Sequence, residues 1–181
     1  MIDKPMGPEY YDRQFEVDPK YSVHYKDSRY YKIWMRVVGK LLDCNIWAVT
    51  SIGCGTGQFE NLLTDYGIGV VGIDFSQVAI DKARKTCPLG TFVCKDVKDY
   101  KFDSTPVVAL EIFEHVDDLE LIGKLPHGVV IVFMVPSRDA AAHVRVFENE
   151  ENIRERYSAV IEIEEIENHS DRYFICVGNV K

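Results

Sequence analysis

The chain has 181 residues, of which 46% are hydrophobic, and this is enough apolar surface for the core of one globular domain. Its formal net charge of −8 disfavours a broad surface for nucleic acid or for anionic membranes. The N-terminus has no apolar core like that of a secretion signal, no apolar run reaches membrane-spanning length, and the five cysteines include no C-x-x-C pair. These features predict a cytoplasmic protein with reduced thiols and leave its oligomeric state open.

The first 26 residues are polar but rich in tyrosine, and Pro5, Pro8 and Pro19 exclude a long helix there. So many aromatic residues are not typical of a disordered tail. Ser28 to Leu42 follows with apolar residues at helical spacing, which predicts an amphipathic helix with one buried face.

The next stretch has the pattern of a nucleotide-binding β-α-β unit. Ala48 to Ile52 is an apolar, β-branched run, the sequence GCGTG follows it, and an amphipathic helix begins near Phe59. A second strand, Val70 to Ile73, ends at Asp74. Glycines let a ligand approach the backbone closely, and an acid at the end of the second strand can accept both hydroxyls of a ribose. The spacing is G-x-G-x-G, whereas dinucleotide folds have G-x-G-x-x-G, and no P-loop lysine follows.

The same alternation of helices and strands continues to residue 135. Ser76 caps a predicted helix that ends before Pro88, and a short helix is predicted near Asp117 to Lys124. The predicted strands of this part are Thr91 to Cys94, Val107 to Leu110, and Val129 to Val135. Alternating strands and helices favour right-handed crossovers and a parallel sheet.

The C-terminal part has a different pattern. Asn149 to Tyr157 has acids in its first turn and arginines in its last, which is typical of a helix. Val160 to Ile166 and Tyr173 to Val180 then predict a β-hairpin. We therefore expect an α/β fold with a Rossmann-like, seven-stranded, mostly parallel sheet, an antiparallel last strand, and helices on both faces.

Four segments in this order, IGCGTG, VVGIDFS, FVCKDV and LEIFEHV, resemble the class I S-adenosylmethionine (SAM)-dependent methyltransferases. The resemblance covers the chain from about Ala48 to its end. It implies that residues 46–181 bind SAM, and that residues 1–45 form an N-terminal lid segment and a helix packed on the core of a single domain. The alternative for the N-terminal segment is that it only caps the edge of the sheet.

The resemblance also implies which residues contact the cofactor. The glycine loop would surround the methionine part, Asp74 would hold the ribose, Asp96 and Val97 would bind the adenine beside Phe75, and Glu111 and Ile112 would line the sulfonium. Family members usually carry an acid at the position of Ser51, so a charge is missing here unless another acid replaces it. The predicted cofactor-binding residues are Ser51, Gly53, Cys54, Gly55, Gly57, Asp74, Phe75, Asp96, Val97, Glu111 and Ile112.

The segment E-x-x-E-H, with a later histidine, predicts the chemistry of the acceptor. It resembles the divalent-metal site of RNA 3′-terminal 2′-O-methyltransferases and of polyprenyl-catechol O-methyltransferases. By that resemblance Glu111, Glu114, His115 and His143 would be metal ligands. Alternatively no metal is bound, and His115 acts as a general base with Glu114 beside it.

We therefore predict a SAM-dependent methyltransferase that methylates the hydroxyl of a small molecule. Methylation of an RNA terminal hydroxyl or of another acceptor remains possible on sequence grounds. So does a partner subunit that binds the cofactor without catalysis, because the segment between the fourth and fifth strands is short. Arg138 and Arg145 suggest an anionic acceptor.

Overall fold

The computed structural model describes residues 6–138 and 143–181. Contacts between Cα atoms group them into two compact units, Gly7–Tyr100 (the first unit) and Lys101–Lys181 together with Met6 (the second unit). The boundary predicted between residues 45 and 46 falls inside the first unit.

The first unit contains a three-stranded parallel arrangement in which β2 lies between β1 and β3. Ile52 pairs with Ile73, and Asp74 pairs with Cys94, so the carboxyl ends of the three strands lie at one edge. Its helices and strands in chain order are α1 (Pro8–Val17), α2 (Tyr31–Asp43), β1 (Ala48–Ile52), α3 (Gln58–Asp65), β2 (Gly69–Asp74), α4 (Gln77–Thr86) and β3 (Thr91–Cys94).

The N-terminal segment of this unit packs against the helices α3 and α4. Helix α1 begins at Pro8, which is favoured in a first turn, and ends before Pro19. The Phe15 side chain is buried, and the Lys82 ammonium of α4 donates a hydrogen bond of 2.5 Å to the Phe15 carbonyl. Thr56 at the start of α3 donates to the carbonyl of Tyr21.

The second unit is built around its most apolar strand. Ile131, Val132 and Phe133 have no exposed surface, as expected for a strand covered on both faces. That strand, β5, is parallel to β4 and antiparallel to β7, and β6 and β7 form the predicted hairpin. The elements are β4 (Val107–Leu110), α5 (Asp118–Ile122), β5 (Val130–Pro136), α6 (Glu150–Tyr157), β6 (Ile161–His169) and β7 (Tyr173–Val180).

The seven strands are ordered β3-β2-β1-β4-β5-β7-β6 in one sheet. The predicted fold class, a mostly parallel Rossmann-like sheet with an antiparallel last strand, is confirmed. None of the described helices is long and apolar enough to cross a membrane. All five cysteines are free thiols.

The structure differs from the sequence-based expectation at a few element ends. Helix α2 begins at Tyr31, later than the predicted Ser28, because a 3₁₀ turn over Tyr25–Asp27 occupies the preceding residues. Strand β6 continues past Ile166 to His169, because its pairing with β7 extends to the turn. Helix α3 ends before Tyr66, which is its C-cap and is 42% exposed.

Gly178 of β7 offers a test of the hairpin packing. A Cβ there would lie 2.5 Å from the Glu162 carbonyl oxygen and 3.1 Å from the Ile163 Cα, and a backbone neighbour cannot move cheaply. We expect Gly178→Ala to lower the free energy of unfolding by about 1–3 kcal/mol, the usual effect of overpacking. Urea unfolding monitored by circular dichroism measures this.

Gly39→Ala is the matched control, since nothing lies within 4 Å of its Cβ position in α2 and it should stabilise the helix by roughly 0.5–1 kcal/mol. Equal effects of the two substitutions would contradict the close contact.

Candidate functional site

The loop between β1 and α3 adopts a backbone conformation that favours glycine. Gly53, Gly55 and Gly57 have φ angles of 67°, 52° and 77°, in the left-handed region that other residues rarely enter. The amides of Gly53 and Cys54 donate to the Ile73 carbonyl at 2.7 and 3.1 Å. The end of β2 therefore holds the loop in place.

Gly57 also makes a close contact with the next helix. A Cβ on Gly57 would lie 2.9 Å from the Ala83 Cα and 3.2 Å from the Ala83 carbonyl oxygen of α4. Only glycine fits here on two grounds, the left-handed φ angle and the adjacent backbone.

Asp74 connects this loop to the start of α4. One carboxylate oxygen accepts a hydrogen bond from the Gly55 amide at 3.0 Å, and the other accepts one from the Ser76 amide at 2.9 Å. Burial raises the pKa of Asp74 to about 6, although these hydrogen bonds oppose the shift. Each carboxylate oxygen can accept another hydrogen bond, so the side chain can still bind a pair of hydroxyls.

The N-terminal segment lies against the same loop. The rings of Tyr11 and Phe75 are 5.5 Å apart, and the Ser76 hydroxyl donates to the Asp12 carboxylate. A Cβ at Gly55 would lie 3.4 Å from the Phe15 ring. These contacts place the segment beside the glycine loop, and its role as a lid stays a prediction.

The other predicted residues of the first unit lie at the ends of β1 and β3. Asp96 is exposed, follows β3, and caps a 3₁₀ helix that starts at Val97 by accepting a hydrogen bond from the Lys98 amide at 2.9 Å. Cys54 is buried, and burial raises the pKa of its thiol well above the ordinary value, which argues against a thiolate nucleophile.

Glu60 is a residue that the sequence-based site prediction missed. It lies in the first turn of α3, is only 1% exposed, and accepts a hydrogen bond of 2.5 Å from the hydroxyl of Ser51. Burial raises the pKa of Glu60 to about 7. The absence of an acid at position 51 was the available signal that an acid from elsewhere would be found here.

The second unit brings together three of the predicted catalytic and metal-binding residues, which we call the acid–histidine cluster. Glu114, His115 and His143 each offer a ligand atom, and these atoms lie within 4.8 Å of one another. The two imidazole rings are 5.0 Å apart between centroids, and His115 Nε2 is 4.0 Å from Glu114 Oε1. Glu111 is not among the residues whose ligand atoms meet within that distance in the part of the chain that the structure describes.

Glu114 is the buried member of this cluster. It has no exposed surface, and neither of its carboxylate oxygens has a hydrogen-bond partner among the described residues. Burial, with a contribution from the nearby charge of Glu111, raises its pKa well above the ordinary value. An uncompensated buried carboxyl of this kind is typical of a functional site.

Local backbone contacts hold the cluster in its conformation. Glu111 directly follows β4 with a φ angle of 56°, a left-handed conformation that is strained for a residue other than glycine. The Val144 amide donates to the Glu114 carbonyl at 2.8 Å, which holds the neighbouring His143 near Glu114. Ile112 is half-buried, and its carbonyl accepts a hydrogen bond from the His115 amide at 2.9 Å.

Arg145 has a structural role that the sequence did not indicate. Its guanidinium donates to the carbonyls of Phe113 and Val116 and lies 3.3 Å from the Asp118 carboxylate. The suggestion that Arg145 binds an anionic acceptor is therefore not supported, because the side chain closes the loop that carries Glu114 and His115.

Residues 49–124, less than half of the chain, match the family model of a methyltransferase domain. No curated protein sequence matches the chain.

Solved structures share the fold at low sequence identity. Magnesium protoporphyrin IX methyltransferase from Synechocystis PCC 6803 with bound SAM is 16% identical, with a TM-score of 0.73 and 100% of each chain covered. N-methyltransferase NodS from Bradyrhizobium japonicum WM9, in complex with S-adenosyl-L-homocysteine, is 16% identical, with a TM-score of 0.71, 96% of this chain and 97% of that chain covered. The match of residues 49–124 to the methyltransferase domain model confirms the prediction of a methyltransferase.

Proposed function

We propose that the protein is a SAM-dependent methyltransferase that methylates a hydroxyl group of a small-molecule acceptor. The observation that carries the choice of acceptor is the acid–histidine cluster, in which a buried carboxyl and two imidazoles lie within 4.8 Å of one another. The proposal assigns cofactor binding to residues of the first unit and activation of the acceptor to residues of the second.

The residues of the first unit fit SAM as the cofactor. The left-handed glycines expose the loop backbone to a ligand, and Asp74 has lone pairs left for the two hydroxyls of a ribose. We assign the adenine to Phe75, Asp96 and Val97, as the sequence predicted. SAM supplies a methyl group bound to a sulfonium. When the methyl group is transferred, the rest of the cofactor leaves as a neutral thioether.

A hydroxyl acceptor needs more help than an amine, because its oxygen is a weak nucleophile until its proton is removed. His115 is 20% exposed in its side chain and can accept that proton at an imidazole nitrogen. Glu114 Oε1 lies 4.0 Å from His115 Nε2, beside the imidazole that would take this proton. Glu111 and Ile112 stay the predicted lining of the reaction site.

The cluster also fits a divalent metal. Two nitrogen ligands and a carboxylate suit Zn²⁺ or Mn²⁺ better than Mg²⁺. Ligand atoms about 2.1 Å from one ion are at most about 4.2 Å apart, so small side-chain rotations would close the cluster of Glu114, His115 and His143 around it. A bound metal would lower the pKa of the acceptor hydroxyl. Glu111 would join this ligand set only after a larger movement of its side chain.

The test of this function is a transfer assay with radiolabelled SAM against matched acceptors. Catechols and other small hydroxyl compounds are compared with amines and carboxylates of the same skeleton, and with RNA oligonucleotides ending in a free 2′-hydroxyl. We expect methylated product from the small hydroxyl compounds. Methylation of amines alone would overturn the choice of acceptor, and methylation of RNA alone would favour the RNA alternative. Cofactor binding without transfer to any acceptor would favour a non-catalytic subunit.

Asp74 provides the corresponding test of cofactor binding. Asp74→Asn keeps the shape of the side chain but turns one acceptor into a donor that faces a backbone amide. We expect the affinity for S-adenosylhomocysteine to fall by about 1–3 kcal/mol, the effect of leaving polar groups without partners, as measured by isothermal titration calorimetry.

Asp81→Asn is the matched control, because Asp81 is a largely exposed acid on α4 with a loose ion pair to Arg84. It should leave the affinity unchanged. Equal affinities of wild type and Asp74→Asn would remove Asp74 from the cofactor site.

A further inference from the structure

An acid without a cation lies buried beside the glycine loop. One oxygen of the Glu60 carboxyl, Oε1, accepts a hydrogen bond from the Ser51 hydroxyl. The other oxygen, Oε2, has no hydrogen-bond partner among the described residues. Within residues 6–138 and 143–181, no lysine, arginine or histidine forms an ion pair with it.

A second buried acid makes the position of Glu60 less favourable still. Burial raises the pKa of Glu60, and the negative charge of Asp74 raises it further. A buried carboxylate without a cation costs several kcal/mol, and proteins keep such a group mainly where a ligand or metal compensates it. A positively charged ligand group with hydrogen-bond donors would compensate Glu60.

Such a group is present in the proposed cofactor, whose amino-acid end carries a primary ammonium. Ser51 lies two residues before Gly53, at the position where the resembling family carries an acid, but serine is uncharged. Glu60 enters the same place from the first turn of α3 and is held there by Ser51. An acid in the first turn also interacts favourably with the helix dipole.

We infer that Glu60, positioned by the Ser51 hydroxyl, is the residue that binds the ammonium group of the cofactor's methionine part. This inference rests on the proposed function. A serine and a glutamate nine residues apart together replace the single acid found in the resembling family.

Two ligands separate this role from a merely structural one. S-adenosylhomocysteine carries the amino-acid group, whereas 5′-methylthioadenosine has the same adenosine and a thioether but no ammonium. In calorimetry, Glu60→Gln should lower the affinity for S-adenosylhomocysteine by about tenfold or more, the effect of losing a hydrogen bond to a charged group. The affinity for 5′-methylthioadenosine should change less than about twofold.

Two further variants keep the test informative if Glu60→Gln folds poorly. Ser51→Ala keeps the Glu60 carboxylate but removes the hydroxyl that positions it. This variant should lower the affinity for S-adenosylhomocysteine by a smaller factor and leave the affinity for 5′-methylthioadenosine unchanged. The double variant Ser51→Asp, Glu60→Gln moves the acid to the family position and should restore affinity relative to Glu60→Gln. Asp81→Asn is again the neutral control.

If Glu60→Gln lowers the affinities for both ligands equally, or lowers neither, the inference is overturned. If the wild-type protein binds neither ligand, the proposed function itself fails, and this outcome is distinct from a loss of selectivity in the variant.

Discussion

Replacing His115 by alanine is expected to lower the rate of methyl transfer by about 100-fold to 10,000-fold, the usual contribution of a general base. The affinity for S-adenosylhomocysteine should stay unchanged, because the cofactor residues that we assign to the first unit are untouched. The reason is geometric: the His115 imidazole is the partly exposed member of a cluster whose carboxyl, Glu114, is fully buried. Single-turnover assays with saturating cofactor separate the transfer step from binding.

His127→Ala is the matched control, since His127 is an exposed histidine of the same unit and should be replaced without effect. A chelator distinguishes the two roles of the cluster. If a metal activates the acceptor, a chelator should abolish transfer, and His143→Ala should reduce metal affinity measured by titration. If His115 acts alone, the chelator should have no effect. Full activity of His115→Ala would remove the cluster from the reaction.

Asp118→Asn is expected to lower the free energy of unfolding by about 3 kcal/mol, because it leaves two half-buried arginines without their buried counter-charge. Asp118 has no exposed surface and accepts two hydrogen bonds from Arg156, at 2.8 and 2.5 Å, and one from the Tyr157 hydroxyl at 2.7 Å. Arg145 lies 3.3 Å away, so one carboxylate joins α5 to α6 and to the segment that follows His143. For a chain of this length, the melting temperature should fall by about 10 °C.

Two substitutions calibrate the Asp118 result. Tyr157→Phe removes a single hydrogen bond from the same network and should cost about 1 kcal/mol. Glu120→Gln removes an exposed pair with Lys124, 3.4 Å apart on the same helix, and should cost less than about 1 kcal/mol. If Asp118→Asn destabilises no more than Glu120→Gln, the network is not important for stability.

The parts of the fold that the sequence predicted best are those with strong local patterns. Strands Ala48–Ile52, Thr91–Cys94 and Val107–Leu110 have the predicted ends, because apolar runs bounded by glycine, proline or acid leave little choice of boundary. The glycine loop and Asp74 were likewise predictable, since the positive φ angles and the strand end both demand particular residue types.

What sequence reasoning missed depends on side chains that meet across the fold. Glu60 looks like an exposed helix residue between Phe59 and Asn61, and only packing shows that it is buried against Ser51. Arg145 looked like a ligand-binding arginine, yet its guanidinium is used within the loop that it closes. Spacing alone suggested that Glu111 and Glu114 act together, whereas the ligand atoms that meet within 4.8 Å among the described residues are those of Glu114, His115 and His143.

The contact between Gly57 and Ala83 has a consequence for how the loop meets its ligand. Because the loop backbone rests directly on the backbone of α4, its shape is set when the domain folds and does not depend on a ligand to order it. Binding then loses little conformational entropy in the loop, which favours preorganised recognition. The same contact couples the two positions in evolution: a larger residue at position 83 would shift the loop, and no change at position 57 could make room for it.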